Sequence, residues 1–252
     1  MRYLYVALMS ILFCLVSNAG TIRHDVDDQK YLDFGKRFFC VHKIITQKTD
    51  GKQTVYGIGS CVVMNSHWIV TAAHITMDSF DKIEVEINKK RYLLDKFIIK
   101  KDYDIKKHRL DIALGFCEEG FGDIDKPELY TKPIEIGQQC SIAGYGIFGN
   151  MRDGVQKLDG KLRAGTNRIN EKYKDMVVCD ASRDKTQTSL EFLPNIGDSG
   201  GGLFIDGKLA GITSLVMARD HKTDSTYGDE AAFTEIYPHI DWILKYVSKT
   251  EM

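Results

Sequence analysis

Apolar and polar residues alternate along much of this chain. Lys82 to Ile87 is the clearest case: Ile83, Val85 and Ile87 fall on one face, Lys82, Glu84 and Glu86 on the other. A period of two is that of a half-buried strand. Short β-type runs recur at Arg37 to Thr46, Thr54 to Met64, Trp68 to Thr71, Tyr92 to Lys100 and Asp111 to Cys117,. A second set lies between glycine turns: Cys140 to Ala143, Leu158 to Arg163, Met176 to Cys179, Leu203 to Ile205 and Leu209 to Ser214,. Between the two sets, residues 118–136 hold two of the four prolines, many charges and little periodicity, and read as a linker,. One stretch has a helical period. Pro238 opens it, and Ile240, Ile243, Leu244 and Val247 follow at i, i+3, i+4 and i+7,. The pattern predicts an all-β chain: a barrel over about 30–120, the linker, a second barrel over about 137–236 and a helix over about 238–249,. Any site is expected between the packed barrels.

Residues 1–19 stand outside this pattern. Arg2 is followed by an apolar run from Leu4 to Val16, and Ser17-Asn18-Ala19 supplies small residues where a signal peptidase reads,. The run is too short to span a bilayer core of about 30 Å comfortably, and no basic cluster follows it,. Cys14 lies inside the run behind Leu12-Phe13, a poor place for lipid attachment. The segment reads as a cleaved signal peptide, leaving 20–252 as an exported domain, extracellular or periplasmic.

Composition narrows the classes. The chain has 252 residues, 43% apolar and 27% charged, which excludes disordered, collagenous and multi-pass membrane proteins,. A net charge of −1 leaves no footprint for nucleic acid or an anionic membrane,. Export raises the question of disulfides. Without Cys14, five cysteines remain (Cys40, Cys61, Cys117, Cys140 and Cys179), so at least one thiol is unpaired within the chain,. Cys40 and Cys61 are a candidate pair across a hairpin turning near Thr49-Asp50-Gly51; five buried thiols are the alternative. There is no Cys-x-x-Cys, so no zinc site is expected, and no Asn-x-Ser/Thr acceptor for N-glycosylation,.

Three short motifs carry chemistry. In Gly197-Asp198-Ser199-Gly200-Gly201, glycines let the backbone take conformations that a Cβ forbids,. Such a bend aims the N–H groups of Gly197 and Ser199 at one point beside the hydroxyl, as an oxyanion hole requires. A plain glycine turn is the bland reading. In Trp68 to His74, an apolar strand runs through two alanines into a histidine. A lone histidine there is most often a core residue. Beside a serine, it is the base that a protonated hydroxyl needs. In Leu110-Asp111-Ile112-Ala113-Leu114, one carboxylate precedes an apolar strand, either as a surface strand start or as the group that orients the histidine,. Asp102 and Asp104 are rivals for that role.

In the order His, Asp, Ser, these motifs resemble the three catalytic blocks of the trypsin/chymotrypsin-like serine endopeptidases. The resemblance runs from about residue 22 to the C-terminus and includes Gly211-Ile212-Thr213-Ser214 and the Trp242-bearing helix. It implies two packed six-stranded antiparallel β-barrels with a C-terminal α-helix. It implies Ser199 as nucleophile, His74 as base and then acid, Asp111 as its orienter, and Gly197 and Ser199 as oxyanion donors. It implies that Ser214, Leu215 and Val216 bind the substrate backbone as an added strand. No metal or organic cofactor is implied. The partners implied are a protein or peptide substrate and protein inhibitors, with no nucleic acid and no membrane, and a monomer.

The chain departs from the family in three places. Cysteines that many members carry are replaced by Gly59, Ile75, Asn195 and Ile205, as in some microbial members. The residue at the base of the specificity pocket is Leu193, with Val216 and Ala231 on its walls, which implies an elastase-like preference for small aliphatic side chains,. Asp198 would pair with a new N-terminus, for which Ile22 is the matching residue, yet no Lys or Arg precedes Ile22 except Arg2. Two other readings stand beside a secreted serine endopeptidase: a protease-fold binding protein without turnover, and an esterase of nonpeptide substrates.

Overall fold

The computed structural model describes residues 20–248 except 52, 108, 158, 219, 220 and 223, so the expected signal peptide lies outside the described residues. The chain folds as two curled antiparallel sheets of seven strands each, one more strand per sheet than the resemblance implies. The first sheet is built on the hairpin of Val41–Asp50 and Gln53–Val63, paired along ten positions. The turn falls at Asp50-Gly51, where the sequence places it. The second sheet is centred on Lys208–Met217, between Gly202–Ile205 and Glu230–Glu235. A smaller sheet of four short strands joins distant parts of the chain. In it, Thr21–Ile22 lies parallel to Phe148–Asn150 and antiparallel to Phe192–Leu193.

Several expected elements are shifted or absent. The run predicted from Arg37 begins as a strand only at Val41, and Tyr92 to Lys100 is broken into Lys90–Leu93 and Lys96–Ile99. Of the strand expected over Leu158 to Arg163, the described residues 159–162 are not extended into a ladder and only Arg163 is a strand residue. Asp159 and Gly160 turn the chain there, with Gly160 at φ +64°, and the strand is Arg163–Arg168. A helix that the periodicity does not show, α1 (Asp28–Gly35), follows the first strand, with the Asp27 carboxylate accepting from the Gln29 N–H at 2.8 Å,. Arg163 ties α1 to the second sheet. It is 1% exposed and forms charge-assisted hydrogen bonds to Asp28 at 2.6 Å and Asp159 at 2.7 Å,.

The terminal helix α2 (Ile240–Val247) is entered through a short 3-10 turn, Tyr237–His239, with Pro238 in its first positions. Its packed face differs from the expected one. Ile243 and Val247 are buried, but Leu244 is 45% exposed, and Trp242 and Tyr246 pack instead. Tyr246 lies 6.4 Å from the Trp68 ring, and Asn65 donates to the Val247 carbonyl at 2.8 Å, so the helix docks on the first sheet.

All five described cysteines are free, buried thiols. Cys40 and Cys61 do not face one another: Cys61 is opposite His42, while Cys40 accepts from the Val63 N–H. Packing replaces a cross-link at Gly59 and Ile75, where the Ile75 Cδ1 lies 2.8 Å from the place that a Cβ on residue 59 would occupy. Among the described residues, no helix is long and apolar enough to cross a membrane.

Candidate active site

Two adjacent strands bring the first pair of site residues together. Trp68–Thr71 pairs with Ala113–Phe116 in a register that sets Thr71 opposite Ala113. His74 lies three residues beyond Thr71 and Asp111 two before Ala113, so both emerge at the same end of the pair. A one-turn 3-10 helix, Ala73–Thr76, starts the moment the first strand ends and carries His74. On the other strand, Leu110 sits in the left-handed region at φ +57°, and its N–H donates to the Asp175 carboxylate at 2.8 Å. That conformation costs an L-residue about 1–2 kcal/mol. Asp175 helps to hold it, and it turns the chain so that Asp111 enters the interior.

The Asp111 carboxylate is fully buried and fully engaged. Oδ1 accepts the His74 backbone N–H at 2.9 Å. Oδ2 accepts the His74 ring at Nδ1, 2.8 Å away, and the Ser214 hydroxyl at 2.5 Å. Burial opposes the charge, but the imidazole and the Ser214 hydroxyl outweigh it and hold the carboxyl below its ordinary pKa,. An ionised carboxylate only accepts, so the proton of a neutral His74 is on Nδ1 and Nε2 is left as the acceptor. The rivals are elsewhere. Asp102 is exposed, and Asp104 accepts from the N–H groups of Lys106 and Lys107.

Ser199 comes from the loop between the small sheet and the strand Gly202–Ile205, and it bridges the two halves. Its carbonyl accepts the Ser60 N–H at 2.8 Å, while the next N–H, of Gly200, donates to Thr213 at 2.8 Å. Gly200 has φ +82°, and a Cβ there would lie 2.1 Å from the Ser60 carbonyl and from the Thr71 hydroxyl. Only glycine allows that approach. The Ser199-Gly200 segment therefore lies against the end of the strand that leads to His74.

The surrounding peptides have fixed directions. The Ile196 carbonyl accepts the Ile147 N–H at 2.7 Å, and the Asp198 carbonyl accepts the Gly201 N–H at 2.8 Å. In a trans peptide the N–H points opposite to the C=O. The N–H groups of Gly197 and Ser199 are thus turned away from these partners, and among the described residues neither donates to a protein acceptor. A third peptide is pinned by a residue that motif reading missed. The fully buried Ser60 hydroxyl donates to the Gly197 carbonyl at 2.9 Å and accepts the Tyr145 N–H at 2.9 Å. The sequence signal for it was slight, a lone serine after Gly59. Ser60→Ala would leave the buried Gly197 carbonyl unpaired, at a cost of about 1–3 kcal/mol, and the part-buried Tyr145 N–H with it,. It is expected to lower kcat about tenfold while KM moves less than twofold, read from steady-state kinetics on a peptide.

Asp198 has no exposed surface. Its carboxylate accepts three N–H groups: Gly146 at 2.7 Å, Asn195 at 2.9 Å and Gly20 at 3.0 Å. Burial raises its pKa to about 6, against the pull of those hydrogen bonds. The expected partner Ile22 is not there. Ile22 lies two residues further on, paired with Phe192 and Asn150, and Gly20 occupies the place instead. Two residues of strand measure about 6–7 Å, which puts the Ile22 nitrogen out of reach of the carboxylate.

The residues expected at the pocket come from two sheets: Leu193 from the small one, Ser214, Leu215, Val216 and Ala231 from the second. Ser214 sits at a register shift between Thr213 and Leu215, and its hydroxyl turns to Asp111. Beyond it, Leu215 and Val216 are half-buried and pair with Ala232 and Ala231, while the strand Gly202–Ile205 reaches only to Ile212. Their other edge carries no strand among the described residues. Leu193 and Ala231 are fully buried. Among the described residues, no group of three or more His, Cys, Asp or Glu is placed to hold a metal ion.

Fold and site together define a class, the serine-type endopeptidases. Comparison with known proteins then identifies the family. The model of the family described as Trypsin matches residues 45–243, and the chain belongs to that family. Kallikrein-1E2 of Equus caballus is 24% identical over 223 residues, covering 75% of this chain and 79% of its own. The snake venom serine protease pallase of Gloydius halys is 26% identical over 200 residues, covering 72% and 82%. A solved structure of HL collagenase aligns with a TM-score of 0.63 at 16% identity, over 84% of this chain and 94% of that one, a likeness of fold.

Proposed function

We propose that this chain is a secreted endopeptidase that cleaves peptide bonds through an acyl-enzyme on Ser199. The observation that carries the reading is the buried Asp111 carboxylate holding His74 at Nδ1, beside the loop that presents Ser199. In this reading the Ser199 Oγ attacks the scissile carbonyl carbon and its proton passes to His74 Nε2. The oxyanion forms facing the N–H groups of Gly197 and Ser199, where a hole donor is worth about 10²–10³ in rate. The C–N bond then breaks, His74 gives its proton to the departing amine, and the acyl group stays on Ser199. Water, deprotonated by His74, releases it. The open edge at Ser214, Leu215 and Val216 pairs with the substrate backbone.

Leu193, Val216 and Ala231 favour small aliphatic side chains before the scissile bond. A lysine or arginine there would bury a cation against Leu193 without a counter-charge. On a peptide series varied at that position, kcat/KM is expected to be highest for Ala or Val and about 10²-fold lower for Lys and Arg, on the scale at which pockets discriminate. A preference for Lys or Arg would overturn the pocket assignment. The peptidase reading itself is tested with a fluorophosphonate. One adduct is expected, on the peptide that contains Ser199; no adduct, or an adduct elsewhere, would contradict it.

A further inference from the structure

The Asp198 carboxylate is buried with three N–H donors, and among the described residues no ion pair includes it. The Arg163 guanidinium acts on it from a distance, and Arg163 is already held by Asp28 and Asp159. A buried carboxylate without a counter-charge is costly. One of its three donors, however, is not fixed in kind. Gly20 N is an amide only while the chain continues upstream. The bond before it, Ala19–Gly20, is the one that the signal-peptide pattern marks for cleavage,.

We propose that cleavage of the Ala19–Gly20 bond by a signal peptidase is itself the activating step, so that this chain passes from export to activity with no second proteolysis. Hydrolysis adds one water. Ala19 leaves with the carboxylate, and the Gly20 nitrogen, taking up protons, becomes an α-ammonium. The new ammonium lies where the amide did, on Asp198 Oδ2, and brings the missing charge.

The segment is built to hold that end. Gly20 has φ +29°, and a Cβ there would lie 2.1 Å from the Phe192 ring, so no larger residue fits the position as it stands. The Gly20 carbonyl accepts the Gly149 N–H at 3.2 Å, and the Ile22 carbonyl accepts that of Met151 at 2.8 Å. The Thr21 hydroxyl donates to the Ser225 carbonyl at 2.6 Å. A chain trimmed to Ile22 would lose the Thr21 bond and leave its nitrogen two residues short of Asp198. Residues 3–22 contain no Lys or Arg, so no trypsin-type cleavage site precedes this segment after Arg2. The same carboxylate holds the Gly146 N–H, and the next residue, Ile147, holds the Ile196 carbonyl that orients the Gly197 N–H. The charge at residue 20 is thereby coupled to the oxyanion donors.

The inference rests on the peptidase reading, and the experiment separates the two. The exported protein is purified and its N-terminus sequenced. Three purified forms are then compared for their rate of labelling by a fluorophosphonate and for their melting temperature: Gly20 first, Ala19 first, and Gly20 first but N-acetylated. The expected N-terminus is Gly20. The Gly20-first form is expected to label at least 100-fold faster than the other two and to melt at a higher temperature. Equal labelling of all three, or an exported protein that starts at Ile22, would overturn the inference and leave the peptidase reading standing. No labelling of any form would contradict the peptidase reading, and the inference with it.

Discussion

Replacing Ser199 by Ala is expected to lower kcat/KM for a peptide by about 10⁴–10⁶, with the melting temperature changed little. The hydroxyl is the only group removed. The half-buried Ser199 makes no side-chain hydrogen bond that the fold depends on among the described residues, whereas its backbone carbonyl is held by Ser60 and stays in place. Binding and the oxyanion donors remain and leave a residual rate above that in water. His74→Ala is expected to cost about as much, and the double variant no more than either single one, because the two side chains act as one unit. Steady-state kinetics on the four proteins tests this. Losses that add would show that Ser199 and His74 act separately.

Asp111→Asn is expected to lower kcat about 10⁴-fold with the fold preserved. The carboxylate accepts from three donors: the His74 N–H, the His74 ring and the Ser214 hydroxyl. An amide of the same shape keeps one acceptor oxygen and presents an N–H₂ group in place of the other. If the amide nitrogen faces the ring, His74 Nδ1 becomes the acceptor and its proton moves to Nε2, where it can no longer receive the serine proton. Circular dichroism and thermal melting are expected to report a folded variant, while kcat reports the loss. A decrease of less than tenfold would mean that Asp111 neither sets the tautomer nor stabilises the imidazolium.

The site residues that could be read from the sequence are those that terminate apolar strands. His74 and Asp111 each stand at the end of such a run, and the pairing of Thr71 with Ala113 brings the two ends together. Ser199 was legible because its glycines are needed where the loop approaches Ser60 and Thr71. What could not be read depends on contacts between distant positions. The Gly20–Asp198 hydrogen bond spans 178 residues, and no local pattern marks it. Counting by resemblance puts the partner of Asp198 at Ile22, whereas the N–H that reaches the carboxylate is that of Gly20, two residues earlier. Ser60 was missed for the same reason, since its hydroxyl matters only once Gly197 and Tyr145 have been brought to it.

Among the secondary elements, the extended hairpin follows from two β-type runs around the Asp50-Gly51 turn, and the terminal helix from its periodicity. Helix α1 does not, because it has eight residues and buries only Tyr31 and Gly35. It is held by remote groups: the Tyr31 hydroxyl donates to the Glu191 carbonyl at 3.1 Å and accepts from the Arg23 N–H at 3.2 Å. The buried face of α2 departs from the periodicity at Leu244, because Tyr246 packs towards Trp68 with Trp242 edge-on against it.

The central claim, an acyl-enzyme on Ser199, is tested most directly by mixing the Gly20-first protein with an excess of a nitrophenyl ester and following the release of nitrophenol at early times. The account predicts a burst equal to one nitrophenol per active site before the steady state, together with an acyl mass on the Ser199 peptide after acid quenching. Hydrolysis with no acyl mass on that peptide, or with the acyl group on another residue, would contradict it.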